Sequence, residues 1–174
     1  MSRRMSEPWA CVKSSPGRGR GVFATRNIPS RTVIDVSPVI LFSAEEYEKS
    51  VASTVLREYT FVWRGKSDPT ARGASCPPGF ALAVAGLGSM FNHARRPNCG
   101  WLPVTDEDDE FAPAIKYIAL SNIAEGEEVF ICYAPQDALW FIDTDGGAND
   151  DSSQDEDVCN CNDPIDVLPL GNGA

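Results

Sequence analysis

The sequence predicts a mostly β domain assembled from many short strands with only short helices. Three observations carry that expectation. Apolar, β-branched runs of four to six residues recur along the chain, each bounded by Gly, Pro, Asn or Ser. No stretch sustains a helical period long enough for a long helix. The chain of 174 residues suits one domain with a real core and a tail, and its apolar share of 43% is ordinary for a globular protein.

In chain order, residues 1–11 read as a flexible lead. From Val12 to Ala24 the turn at Pro16 and Gly17 and the glycines at 19 and 21 exclude a helix, and Gly21 to Ala24 reads as a strand. Thr32 to Val36 and Val39 to Phe42 read as two strands turned at Ser37 and Pro38. Ser43 with Glu46 forms a capping box that opens a helix to about Ala52. Val55 to Trp63 alternates Val55, Arg57, Tyr59, Phe61 and Trp63 on one face, as an extended segment does.

Residues 64–79 are rich in Gly and Pro and read as a surface loop. Phe80 to Val84 is a buried strand candidate, Asp106 to Glu110 an acidic loop. Ile115 to Leu120 and Glu128 to Cys132 are further strands, with Glu125 and Gly126 turning between them. Leu139, Trp140 and Phe141 read as the apolar end of a short helix. From Asp143 onward the text is acidic and too poor in apolar residues to fold alone, so residues 143–174 read as a disordered tail behind a domain at 12–142.

Composition removes several function classes. No apolar run approaches the ~20 residues of a membrane span, and the N-terminal residues lack the hydrophobic region of a signal peptide, so no secretory leader is expected. A net charge of −10 argues against direct nucleic-acid binding and suits a basic protein partner, although much of the acid lies in the tail. The six cysteines are scattered and fit no secreted disulfide framework; most read as reduced, and Cys132 as a small core residue. The single histidine, His93, cannot run a catalytic triad or a His-metal site by itself. Gly17 to Gly21 is not a dinucleotide fingerprint, because the third glycine falls one residue early and no βαβ pattern surrounds it.

The chemistry-bearing stretch is Gly86 to Asn98, which holds Asn92 and His93 ahead of Pro97 and Asn98. Alone, this Asn-His pair suits a structural turn as well as a site. It stands between a Gly19, Arg20, Gly21, Val22, Phe23, Ala24 block and a Glu127, Glu128 run that ends at Tyr133. These three blocks, in this order, resemble the SET-domain protein-lysine methyltransferases, over roughly residues 12 to 142. The flanking text at 43–47, 58–63 and 86–93 resembles most closely small fungal SET proteins that methylate histone H3, among them a fission-yeast enzyme for its lysine thirty-seven.

The resemblance implies a fold of several small sheets with a C-terminal pseudoknot, and an S-adenosylmethionine-dependent methyl transfer to a lysine, here of a histone H3 tail, in the nucleus, with the cytoplasm as the alternative. The alternative is an inactive SET fold kept as a histone- or protein-binding module. It implies Tyr133 as the catalytic tyrosine, Asn92 on the amino-acid portion of the cofactor, and His93 meeting the adenine through its backbone. Gly19, Arg20 and Gly21 are implied to line the cofactor through main-chain groups, with the glycines letting the backbone approach it. Tyr59 is a candidate wall of the lysine channel or a core tyrosine, and Ile131 occupies the position that tunes how many methyls are added.

Two departures from the family pattern bear on the lid. The cysteine expected shortly after the Asn-His pair is replaced by Ala94 and Arg95, and the third tail cysteine by Asp166, so Cys159 and Cys161 leave a zinc site incomplete and no zinc is expected. Trp140 or Phe141 is the candidate to pack beside the cofactor instead, within the chain or across a homodimer; the other reading has both finishing the core.

Overall fold

A computed structural model describes residues 7–63, 79–105 and 111–133. The acidic loop, the glycine- and proline-rich loop, Trp140, Phe141, Cys159, Cys161, the tail and the threading of the C-terminal segment all fall outside them. The described chain is mostly β, as the sequence predicts. It divides into two compact units, Met1–Thr32 with Phe91–Leu102 and Ile118–Ala174, and Val33–Met90 with Pro103–Tyr117.

The first unit starts with a hairpin. Strand β1 (Ala10–Ser15) pairs antiparallel with β2 (Gly19–Ala24), from Ala10 opposite Ala24 to Ser15 opposite Gly19. Pro16 fixes the first central residue of the turn, Gly17 takes the second at φ +74°, and the Arg18 N–H closes onto the Ser15 carbonyl at 3.1 Å. The expected lead of residues 1–11 is therefore too long. Glu7 and Pro8 accept hydrogen bonds from Arg26 and Thr25, and the Arg26 guanidinium lies 3.8 Å from the Trp9 ring centroid. The sequence reading missed β1 because Val12 and Lys13 break its apolar alternation with a half-polar face.

Strand β9 (Glu128–Ile131) adds to β2 antiparallel, and the two-residue strand β6 (Asn92–His93) adds to β9 in parallel. The resulting order is β1-β2-β9-β6. Alternation along β9 sends Val129 and Ile131 into the core and leaves Glu128 and Phe130 on the half-buried face. An isolated bridge between Ile28 and Ile123, both 1% exposed, closes the unit behind this sheet.

A second sheet of five strands, in the order β4-β5-β3-β8-β7, belongs mostly to the second unit. Its strands are β3 (Val33–Ser43), β4 (Thr60–Trp63), β5 (Gly79–Ala83), β7 (Cys99–Val104) and β8 (Ala114–Ala119). The expected turn at Ser37 and Pro38 does not exist: β3 runs straight through them for 11 residues. Proline fits a strand wherever its missing N–H is not needed. Pro38 sits just before β3 begins pairing with β5, at Val39 opposite Ala83, and its carbonyl still accepts from Val84 at 3.1 Å.

Helix α1 (Ala44–Ser50) carries the expected capping box, with Ser43 Oγ accepting from the Glu46 N–H and the Glu46 carboxylate accepting from the Ser43 N–H. Its Tyr47 stacks on Phe80 with ring centroids 3.6 Å apart. The expected extended segment over 55–63 is half wrong. Val55–Tyr59 is a 3-10 helix started by Thr54, whose hydroxyl accepts from the Leu56 N–H, and only Thr60–Trp63 is a strand. The local hydroxyl contact overrode the period-two pattern.

Behind the glycines before Phe91 lies a polar knot within the second unit. Fully buried Ser37 donates to Asp35 and accepts from the Gly88 N–H at 3.0 Å, while Asp35 also accepts from the Leu87 N–H. Tyr117 donates its hydroxyl to the Gly88 carbonyl at 3.2 Å. A Cβ on Gly88 would lie 2.7 Å from the Ala83 Cβ and 2.8 Å from both the Ser37 and Tyr117 oxygens, which excludes any larger residue there.

Candidate active site

The three sequence blocks converge within the first unit. The parallel pairing of β6 with β9 sets Asn92 beside Phe130 and His93 beside Ile131, two residues before Tyr133. β2 borders β9 on its other side and brings Arg20 and Gly21 to the same place.

Asn92 is held by two acceptors. Its Nδ2 donates to the Arg20 carbonyl at 3.0 Å and to Glu128 Oε1 at 2.7 Å. Both neighbours can only accept, so the amide nitrogen must face them, and Oδ1 on the other side of the planar amide is left as an acceptor. The second Glu128 oxygen accepts from the Ser15 hydroxyl at 2.9 Å, and Ser15 is itself 3% exposed. The serine that ends β1, the carboxylate that starts β9 and the amide that starts β6 thus form one connected chain.

That chain explains Gly21 differently from the sequence reading. A Cβ at Gly21 would lie 2.0 Å from Glu128 Oε1 and 2.8 Å from Asn92 Nδ2. The carboxylate and the amide need the space. Gly19 is required for another reason, its φ of +77° at the end of the hairpin turn, and a Cβ there would meet nothing within 4 Å.

His93 contributes through both its ring and its main chain. Nδ1 accepts from the Tyr133 N–H at 3.1 Å, which requires a neutral ring with its proton on Nε2. The His93 carbonyl accepts from Arg18 at 3.1 Å, and the Arg18 guanidinium lies 5.2 Å from the Phe130 ring centroid. The Tyr133 hydroxyl donates to the Phe91 carbonyl, and the Tyr133 and His93 rings are tilted with centroids 5.4 Å apart. With its proton directed at Phe91, the phenol oxygen can act towards other groups only as an acceptor.

Asn98 locks the approach to this centre. Its amide donates to the Glu128 carbonyl at 2.9 Å and accepts from the Phe130 N–H at 2.8 Å, so one side chain completes the backbone bonding of β9. A further bond from the same amide to Glu127 at 3.1 Å ties in the turn before β9, where Glu127 also accepts from the Ala124 N–H.

Of the residues expected in the site, Arg20, Gly21, Asn92, His93, Ile131 and Tyr133 therefore come together, and Gly19 shapes the hairpin beside them. Ile131 is 1% exposed. Tyr59 belongs to the second unit, where it ends the 3-10 helix and is 40% exposed, so its alternative reading as a core tyrosine does not hold. Trp140 lies outside the described residues. Cys132 is buried but takes part in a disulfide, so it is more than a small core residue; Cys11 and Cys99 are not disulfide-bonded.

Sequence reasoning assigned no role to Ser15, Arg18, Asn98 or Glu128. The signal for Glu128 was available in the strand alternation, which places a carboxylate on the half-buried face of β9 beside Phe130.

Comparison with known proteins bears on the family. The family model described as "SET domain" matches residues 19–134. A Schizosaccharomyces pombe protein, "Histone-lysine N-methyltransferase, H3 lysine-37 specific", is 42% identical over 146 residues, covering 83% of this chain and 85% of that protein. Among solved structures, a candidate histone methyltransferase from Plasmodium falciparum aligns with TM-score 0.53 at 21% identity, over 77% of this chain and 97% of its own. The Neurospora SET domain protein DIM-5, a histone lysine methyltransferase, aligns with TM-score 0.53 at 18% identity, over 76% of this chain and 54% of its own. The convergence of the glycine hairpin, the Asn-His strand and the tyrosine-ended strand, together with these matches, makes the chain a member of the SET-domain family.

Proposed function

We propose that the protein is a protein-lysine methyltransferase that acts on the histone H3 tail, at the residue corresponding to its lysine thirty-seven. The observation that carries the reading is the β6–β9 pairing, which sets Asn92, His93 and Tyr133 side by side. The substrate rests on the 42% identity to the fission-yeast enzyme, and the net charge of −10 suits a basic tail. Action on chromatin implies the nucleus.

S-adenosylmethionine, when bound, supplies an electrophilic methyl group for in-line displacement by a neutral lysine amine. The residues present fit that cofactor. Asn92 Oδ1 is the acceptor its ammonium requires, because Nδ2 is already engaged by Arg20 and Glu128. Gly19 and Arg20 are exposed on the hairpin beside Asn92, and their main chain is available for further parts of the cofactor.

Tyr133 serves as an orienting acceptor. Its hydroxyl proton is directed at Phe91, so its oxygen attracts the N–H and polarised C–H groups of the reacting pair. A phenol used in this way does not serve as the base that deprotonates lysine; withdrawal of the amine from water lowers its pKa. Alignment then does the larger part, with an entropic advantage of roughly 7–11 kcal/mol in favourable systems.

The test uses labelled S-adenosylmethionine with core histones, nucleosomes and H3 tail peptides. Labelling of H3 that disappears when lysine thirty-seven is replaced by arginine is the expected result. Cofactor binding by calorimetry without labelling of any histone would point instead to a SET fold kept for binding, and absence of cofactor binding would overturn the reading altogether.

A further inference from the structure

Ser15 and Glu128 have no part in the chemistry just described, yet they are built into its most constrained contact. Glu128 accepts from Asn92 at 2.7 Å and from Ser15 at 2.9 Å, and Gly21 leaves out a side chain where that carboxylate passes. An asparagine amide has two nearly isosteric orientations that differ only in which end donates. Without an external bias, the end that faces a ligand is not determined. A carboxylate is the strongest neutral-pH bias available, because both of its oxygens accept and neither donates.

We propose that Glu128, itself aimed by Ser15, is a positioning residue that sets the amide orientation of Asn92 and so makes this site selective for a ligand carrying an ammonium group. The inference rests on the assignment of Asn92 to the cofactor's amino-acid portion. Its physical content is separate: two side chains that never touch the ligand decide whether the touching atom accepts or donates. The Arg20 carbonyl supplies a second, weaker bias in the same direction, so loss of Glu128 reduces the preference and does not invert it.

The experiment compares two ligands by calorimetry on the full chain. S-adenosylhomocysteine carries the α-amino group, and methylthioadenosine shares its nucleoside but lacks the amino-acid portion. Glu128→Met removes the acceptor while keeping the length of the side chain. The expected result is a selective loss of affinity for S-adenosylhomocysteine, up to about tenfold, the scale of one hydrogen bond to a charged group, with methylthioadenosine affinity unchanged.

Glu128→Gln tests the link to Ser15. A glutamine can still accept from Asn92 if its amide nitrogen donates to the Ser15 hydroxyl, which can turn to accept. Glu128→Gln alone is therefore expected to bind S-adenosylhomocysteine nearly as wild type. Adding Ser15→Ala is expected to weaken it severalfold, with methylthioadenosine again unaffected.

Equal losses for both ligands in Glu128→Met would show a purely structural role and overturn the inference. So would unaltered S-adenosylhomocysteine affinity. Thermal melts of each variant keep simple unfolding from passing as either result. If the wild-type protein bound neither ligand, the cofactor assignment itself would fail, an outcome distinct from both.

Discussion

Gly21→Ala places a methyl group 2.0 Å from Glu128 Oε1 and 2.9 Å from its Cδ, well inside any allowed contact. The carboxylate is the movable partner, but moving it breaks its bonds to Ser15 and Asn92 together. Hydrogen bonds to charged groups contribute about 1.5–3 kcal/mol each. The site is only part-buried and water recovers some of this, so about 2–4 kcal/mol is the expected loss for the pair. That corresponds to a fall in melting temperature on the order of 5–15 °C for a chain of this size. Gly17→Ala is the control: its added Cβ meets nothing within 4 Å, and only the φ of +74° is strained, at about 1–2 kcal/mol. Melting curves and S-adenosylhomocysteine titrations should show Gly21→Ala losing both stability and affinity, and Gly17→Ala losing stability alone. Combining Gly21→Ala with Glu128→Ala removes the obstructing carboxylate, so the double variant should lose less than the sum of the two. Additive losses, or Gly21→Ala melting like Gly17→Ala, would refute the steric argument.

Other expectations are independent of that contact. Tyr133→Phe should keep cofactor affinity in calorimetry while turnover falls on the order of 10²–10³-fold, the usual loss when one transition-state hydrogen-bonding group is removed. Ser43→Ala should destabilise the protein by about 1 kcal/mol in chemical denaturation by uncapping α1. Backbone and side-chain hydrogen bonds from Ser43 lower the Glu46 pKa, so this capping contribution is present above the ordinary carboxylate pKa and is lost as pH falls through the lowered value. Ile131 offers no hydroxyl to hold a water beside the amine, so mass spectrometry at exhaustive turnover should show product beyond monomethyl-lysine. Metal analysis of the purified protein should find no stoichiometric zinc, since Ala94 and Arg95 stand where a ligand would be needed.

Much of the site could be read before the fold because its parts are short and local. The Gly19 and Gly21 pair, Asn92 with His93, and Tyr133 at a strand's end each carry their chemistry within a few residues. What joined them was not legible. The Ser15 to Glu128 bond spans 113 positions, and nothing local in either residue announces the other. The errors in the fold have the same origin. Pro38 reads as a break in any local window, but it stands one residue before the pairing of β3 with β5 begins at Val39, and the strand runs on through it. Val55 to Tyr59 alternates like a strand, but one threonine hydroxyl was enough to wind it into a 3-10 helix. Gly21 was singled out for close approach to a cofactor, and the structure adds a second demand on it, since sequence shows that a side chain is missing and not what occupies its space.

The sheet order β1-β2-β9-β6 has a consequence for how the protein is made. A ribosome delivers the hairpin of β1 and β2 first, then Asn92 and His93, and only much later Glu128 to Tyr133. Until β9 emerges, β6 has no strand to lie against, and Asn92 lacks the carboxylate that fixes it. Two residues of strand cannot hold themselves in a sheet while they wait. The nascent chain therefore carries most of its site residues in an unassembled state until translation has passed Tyr133 and the segment has cleared the exit tunnel. Any chain that terminates earlier owns the glycine hairpin and the asparagine but has no means of joining them, so premature termination yields a protein that is silent from the outset.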